Sequence, residues 1–156
     1  MTSDQANLKA LLHGLQELKK TEQRTSDYYR VAADEAEQRN NLSTAQMYRE
    51  FREAHGDLAI RFDDRRRELE ENDDDGKFGE TLHSFGEAIR SVIADMPVLF
   101  IQQNTHLTPS SMIRMEEELA ALYRALLDSA DDETKRVINY AIATSERTIE
   151  HLSGRA

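Results

Sequence analysis

The apolar residues of this chain fall into stripes with helical spacing. Leu8, Leu11, Leu15, Leu18, Thr25, Tyr29, Ala32 and Ala36 lie on one face of a predicted helix running from about 4 to 37. Ser3 or Asp4 can cap its start, and Arg39-Asn40-Asn41 breaks the pattern, Asn being a poor helix former that tolerates turns. A second helix is predicted over about 43–72, with Ser43 and Gln46 at the spacing of a capping box and a stripe of Tyr48, Phe51, His55, Leu58, Phe62 and Leu69. It stops in Asn72-Asp73-Asp74-Asp75-Gly76. The short turn between the two makes them an antiparallel hairpin.

A shorter amphipathic helix follows over about 78–95, carrying Phe78, Leu82, Phe85, Ile89, Val92 and Met96 and interrupted or ended by Pro97. Val98–Ile101 reads equally as another helical turn or as a buried extended piece. Thr108-Pro109 pairs a good N-cap with a residue suited to the first helical position. The helix it opens, about 109–128, carries Met112, Met115, Leu119, Leu122 and Leu126. After Ser129–Asp132 a last helix is predicted over about 131–152, with Ile138, Ala141, Ser145, Thr148 and Leu152 inward. Two hairpins with a short helix in the connection between them make an all-α four-helix bundle with a crossover, a single domain over 1–156.

Composition narrows what such a bundle can be. No cysteine is present, which removes disulfides, thiolate metal sites and cysteine nucleophiles. The net charge is −10, against a nucleic-acid partner or an anionic membrane surface. Arg65-Arg66-Arg67 sits between acidic residues and reads as a solvated helix face. No apolar run reaches the roughly 18 residues that span a bilayer, and the polar N-terminus does not read as a signal peptide, so the expected location is the cytoplasm.

Four stretches carry a family resemblance: LKALLHGLQEL at Leu8–Leu18, YYRVAADEA at Tyr28–Ala36, GKFGETLHSFGEAI at Gly76–Ile89 and EEELAALYRALLD at Glu116–Asp128. With the order of elements they resemble the ferritin-like superfamily. Within it, the chain looks like an uncharacterised bacterial four-helix-bundle family. The resemblance implies a bundle able to hold two metal ions between its helices, and it implies no substrate.

Candidate chemistry lies where ionisable residues interrupt apolar stripes, because an unpartnered buried charge is expensive. Glu22 continues the series Leu8, Leu15, and His55 lies between Phe51 and Leu58. Centring the hairpin turn near residue 40 puts Glu22 within about one turn, roughly 5 Å, of the level of His55. The pair reads as a buried hydrogen bond that sets register, as half of a metal site, or as a place where the stripe is out of phase and one residue reaches water. A buried pair predicts a loss of about 1–3 kcal/mol for His55→Ala. A ferritin-like two-metal centre takes one Glu from each of two helices and a Glu-x-x-His pair from each of the other two. Here Arg52 stands three residues before His55, Glu116 lies at its stripe's edge, Ile113 stands one turn before it, and Ser145 and Thr148 take the inward positions of the last helix. Glu146 and His151 fall off that face, His83 reads as a packing or capping residue, and His13 and His106 as surface or loop residues. The candidate metal ligands are therefore Glu22, His55 and Glu116, for iron or another divalent ion, with waters completing the shell. No nucleophile elbow, phosphate loop or H-E-x-x-H motif is present. Two functions follow as expectations: a non-catalytic bundle acting on a protein partner or on a second copy as a homodimer, or a bundle that binds, stores or oxidises iron.

Overall fold

The computed structural model describes residues 3–71, 85–89, 91–92 and 107–154. Its long elements are α1 (Ser3–Gln38), α2 (Leu42–Glu71), α3 (Pro109–Leu127) and α4 (Asp132–Ser153). Residues 85–89 are helical as well, and no strand occurs among the described residues. The side chains proposed as first caps, Ser3 and Asp4, lie outside the described residues, as do the Asn72–Gly76 stop, Pro97, Val98–Ile101, His83 and His106.

The helix ends follow from local chemistry. Asn40 adopts a positive φ of 60°, a conformation Asn tolerates better than most residues. Around it, Asn41 N–H donates to Ala36 C=O at 2.9 Å and Asn40 N–H to Glu37 C=O at 3.0 Å, the paired bonds of a Schellman end. Asn41 then starts α2: its Oδ1 accepts from Thr44 N–H at 3.4 Å. The cap is therefore Asn41 and not the expected Ser43 box, because the chain leaves the left-handed residue already turned into the next helix. Thr108 caps α3 as expected, accepting from Ser111 N–H at 3.2 Å with Pro109 behind it. Asp131 caps α4, accepting from Thr134 N–H at 3.3 Å.

Polar contacts between helices give their directions. Ser26 Oγ donates to Arg52 C=O at 2.9 Å and Lys19 Nζ lies 3.2 Å from Asp63 Oδ1, so α1 and α2 run antiparallel. Arg65 reaches Thr134 and Asp131 while Phe51 meets His151, so α2 and α4 are antiparallel too. Tyr29 meets Glu116 and Tyr123 meets Glu22, which makes α1 and α3 antiparallel. Hence α2 and α3 point the same way. Between the helices lie Leu11, Leu15, Leu18, Leu58, Phe62, Met112, Met115, Leu119 and Ile138, all buried. Phe85 and Ile89 join this core. Ile89 lies against α1 at Gly14, where an added Cβ would come 2.1 Å from Ile89 Cγ2. Only a residue without a side chain allows that approach.

Arg65 corrects one expectation. It is 7% exposed rather than solvated. Its guanidinium donates to Thr134 Oγ1 at 3.0 Å, Asp131 Oδ2 at 2.7 Å and Glu68 Oε2 at 2.9 Å. It thus ties α2 to the residue that caps α4. Arg66 and Arg67 do take part in the surface, pairing with Asp63 on their own helix. No helix among the described residues is long and apolar enough to cross a membrane.

Candidate functional site

Glu22, His55 and Glu116 come together at the centre of the molecule, one from each of α1, α2 and α3, and all three are fully buried. Glu22 enters because its helical phase leaves it no other direction: Leu15 lies two turns before it and Tyr29 two turns after, both buried. His55 is placed in the same way by Phe51 and Leu58. On α3 the buried face is wide. Met115 and Leu122 are covered, and so are Glu116 and Tyr123 one position further round.

The imidazole sits between the two carboxylates. Its Nδ1 is 2.5 Å from Glu22 Oε2. Its Nε2 is 2.6 Å from Glu116 Oε1. The first contact is an in-line hydrogen bond. The second is an ion contact out of line for one, so Nε2 has no hydrogen-bond partner. Two tyrosines complete the array. Tyr123 donates its hydroxyl proton to Glu22 Oε1, and Tyr29 donates to Glu116 Oε1 at 3.3 Å. The Tyr29 ring also stacks on the imidazole, with centroids 5.6 Å apart. Glu22 and Tyr29 are seven residues apart on α1, as Glu116 and Tyr123 are on α3, and each glutamate takes its proton donor from the opposite helix. Antiparallel helices with equal spacings make this exchange reciprocal.

The electrostatics follow from burial and from these neighbours. Burial by itself lowers the basicity of His55, but Glu116 and then Glu22 reverse this, and its pKa rises to about 10. The ring is therefore an imidazolium at neutral pH, with a proton on each nitrogen. Burial, followed by the charge of Glu116, pushes the Tyr29 hydroxyl well above its ordinary value. Burial and Glu22 do the same for Tyr123. Both phenols stay protonated and act as donors.

The residues do not fit a two-metal centre. Glu22 and Glu116 stand where two single carboxylates would be wanted, and His55 supplies one imidazole. Arg52, expected to set a cation beside His55, is exposed, and its carbonyl accepts from Ser26. Arg52 lies off the buried stripe that runs through Phe51, His55 and Leu58. On α4, Ser145 and Thr148 are buried, whereas Glu146 and His151 are exposed, Glu146 pairing with Arg124. Glu22 and Glu116 approach opposite edges of one ring, and no group of three or more His, Asp or Glu among the described residues is arranged to hold a metal ion. His13 is exposed.

The hydroxyl roles of Tyr29 and Tyr123 were hidden in the sequence, since Tyr29 sits on an apolar stripe as core filler and Tyr123 lies one position beside one. The signal was the repeated seven-residue spacing from each glutamate. No family model, curated protein or solved structure matches this chain.

Proposed function

We propose that this protein is a non-catalytic helical scaffold of ferritin-like layout, acting through its surface on a protein partner or a second copy of itself. One observation carries the reading. The one cluster of fully buried ionisable groups among the described residues has its charges facing one another, with zero solvent exposure at Glu22, His55 and Glu116. A substrate has no route to groups so enclosed. The antiparallel hairpin α1–α2, the antiparallel pair α3–α4 and the shared direction of α2 and α3 suit the ferritin-like layout. Net charge −10 suits a basic partner surface and, with the absence of cysteine, a cytoplasmic setting.

A second reading is a single divalent ion, iron among the options, held by His55 and Glu116 with Glu22 orienting the ring from its other nitrogen. It is favoured by two buried atoms without partners, His55 Nε2 and Glu116 Oε2. A ligating imidazole gives up a proton, so such an ion would compete with the imidazolium. The readings part in one assay. Fe²⁺ is added under air to the parent and to Glu22→Ala/His55→Ala, and bound metal and oxidation rate are measured. The scaffold reading expects equal, background values. Stoichiometric binding in the parent, lost in the variant, overturns it.

A further inference from the structure

Three buried polar atoms among the described residues have no hydrogen-bond partner: His55 Nε2, Glu116 Oε2 and Ser145 Oγ. Leaving such atoms unpaired is costly, and native cores pair them or bridge them with water. The three belong to α2, α3 and α4. Nε2 and the Glu116 carboxylate are already in contact, at 2.6 Å through Oε1. The register of α2 against α4 brings in the third. Arg65 meets Thr134, and fourteen residues earlier on α2, Phe51 meets His151 seventeen residues later on α4. Counting between these two links puts residue 145 opposite residue 55, within one turn. Ser145 has zero exposure, so its hydroxyl is inside the bundle at that level.

The three atoms differ in what they want. The Glu116 oxygen is an acceptor, the Ser145 hydroxyl can donate or accept, and the ring Nε2 donates when it carries a proton and accepts when it does not. No direct pairing of two satisfies the third. We propose that the core holds one buried water molecule bridging His55 Nε2, Glu116 Oε2 and Ser145 Oγ. It donates to the carboxylate and bonds the serine hydroxyl and the ring nitrogen, within the two to four bonds characteristic of internal water. The site thereby joins α4 to an array that otherwise ties only α1, α2 and α3. It also makes the hydrogen-bonded path continuous from Tyr123 through Glu22, His55 and the water to Glu116 and Ser145. This inference rests on the array being free of metal.

The test is a crystal structure of the full chain, grown without added metal, at a resolution that shows ordered water, with anomalous data above the iron and zinc edges. The expected result is one non-anomalous peak with contacts of about 2.6–3.2 Å to all three atoms. An anomalous peak at about 2.0–2.2 Å from Nε2 is a metal ion and overturns both this inference and the scaffold reading. Direct contact between Glu116 and Ser145 with no peak overturns this inference alone. In solution, oxygen-17 relaxation dispersion counts long-lived internal water. Ser145→Val should remove one such molecule relative to the parent. An unchanged count in a variant with the parent's circular dichroism spectrum overturns the inference, and the crystal structure of the parent decides it if the valine variant does not fold.

Discussion

Two polar clusters hold helices together in this molecule, and they do so under opposite conditions. At the centre, His55 lies between Glu22 and Glu116 with no exposure of any of the three. At the α2–α4 seam, Arg65 is nearly buried, but its partners Asp131 and Glu68 have side chains 16% and 55% exposed. The central cluster must satisfy its charges internally, since several kcal/mol of solvation are lost for each buried ion. The seam cluster shares its charges with water and needs less from its geometry. A sealed ion pair is thus a poor source of net stability and a strict constraint on structure. Removing one member leaves the others uncompensated.

Removing members breaks the comparison open, and the largest effect belongs to the centre. His55→Ala leaves two carboxylates buried without their shared cation. It should cost about 3–5 kcal/mol in urea unfolding at neutral pH. That exceeds the value expected from the Glu22 contact alone, because the structure adds Glu116 on the other nitrogen. A loss under about 1 kcal/mol would mean that water reaches the array. Tyr123→Phe keeps the ring, stacked 5.8 Å from Phe62, and deletes only the donor to Glu22. About 1–3 kcal/mol is expected, the penalty for an acceptor stripped of one partner. A neutral Tyr123→Phe would show that Glu22 is satisfied without it.

The seam should respond less and should feel salt. Arg65→Met retains much of the stem's packing and loses the bonds to Asp131 and Thr134, for about 1–2 kcal/mol. Repeating the urea series at about 1 M NaCl, where the Debye length is about 3 Å, should shrink this loss and leave that of His55→Ala in place. Equal salt sensitivity would erase the distinction between the clusters. At the outer limit lies Arg124 with Glu146, both more than half exposed. Arg124→Ala should change stability by less than about 1 kcal/mol.

Much of this was legible in the sequence, for identifiable reasons. Long helices with regular stripes announce themselves, and the cap at Thr108, followed by Pro109, has unambiguous chemistry. Glu22 and His55 stood out because each interrupts an apolar stripe at its centre. Glu116 was harder, lying at the edge of a stripe whose true width on α3 shows only when packed. Arg65 was misread because its neighbours are charged. Yet it fills the gap between Phe62 and Leu69 at spacings of three and four, the phase of the buried face. The tyrosine hydroxyls could not be assigned from one helix alone, since each bond runs between α1 and α3. The cap at Asn41 escaped because two residues two positions apart, Asn41 and Ser43, have equal capping chemistry, and the positive φ at Asn40 decides between them.

His55 is a buried cation clamped between two carboxylates. Its pKa stands at about 10 in the folded protein, against an ordinary 6.5. Because the folded value is the higher one, the contribution is complete below pH 6.5 and is lost as pH rises through about 10. Across that window the folded chain holds one more proton than the unfolded chain, so stability should fall by about 1.4 kcal/mol per pH unit on this account. The direct measurement is unfolding free energy in urea from pH 7 to 9 for the parent and for His55→Gln. The parent should decline with that extra slope and the variant should lack it. Parallel curves would contradict it, showing that the ring is neutral in the core and that the clamp does not exist.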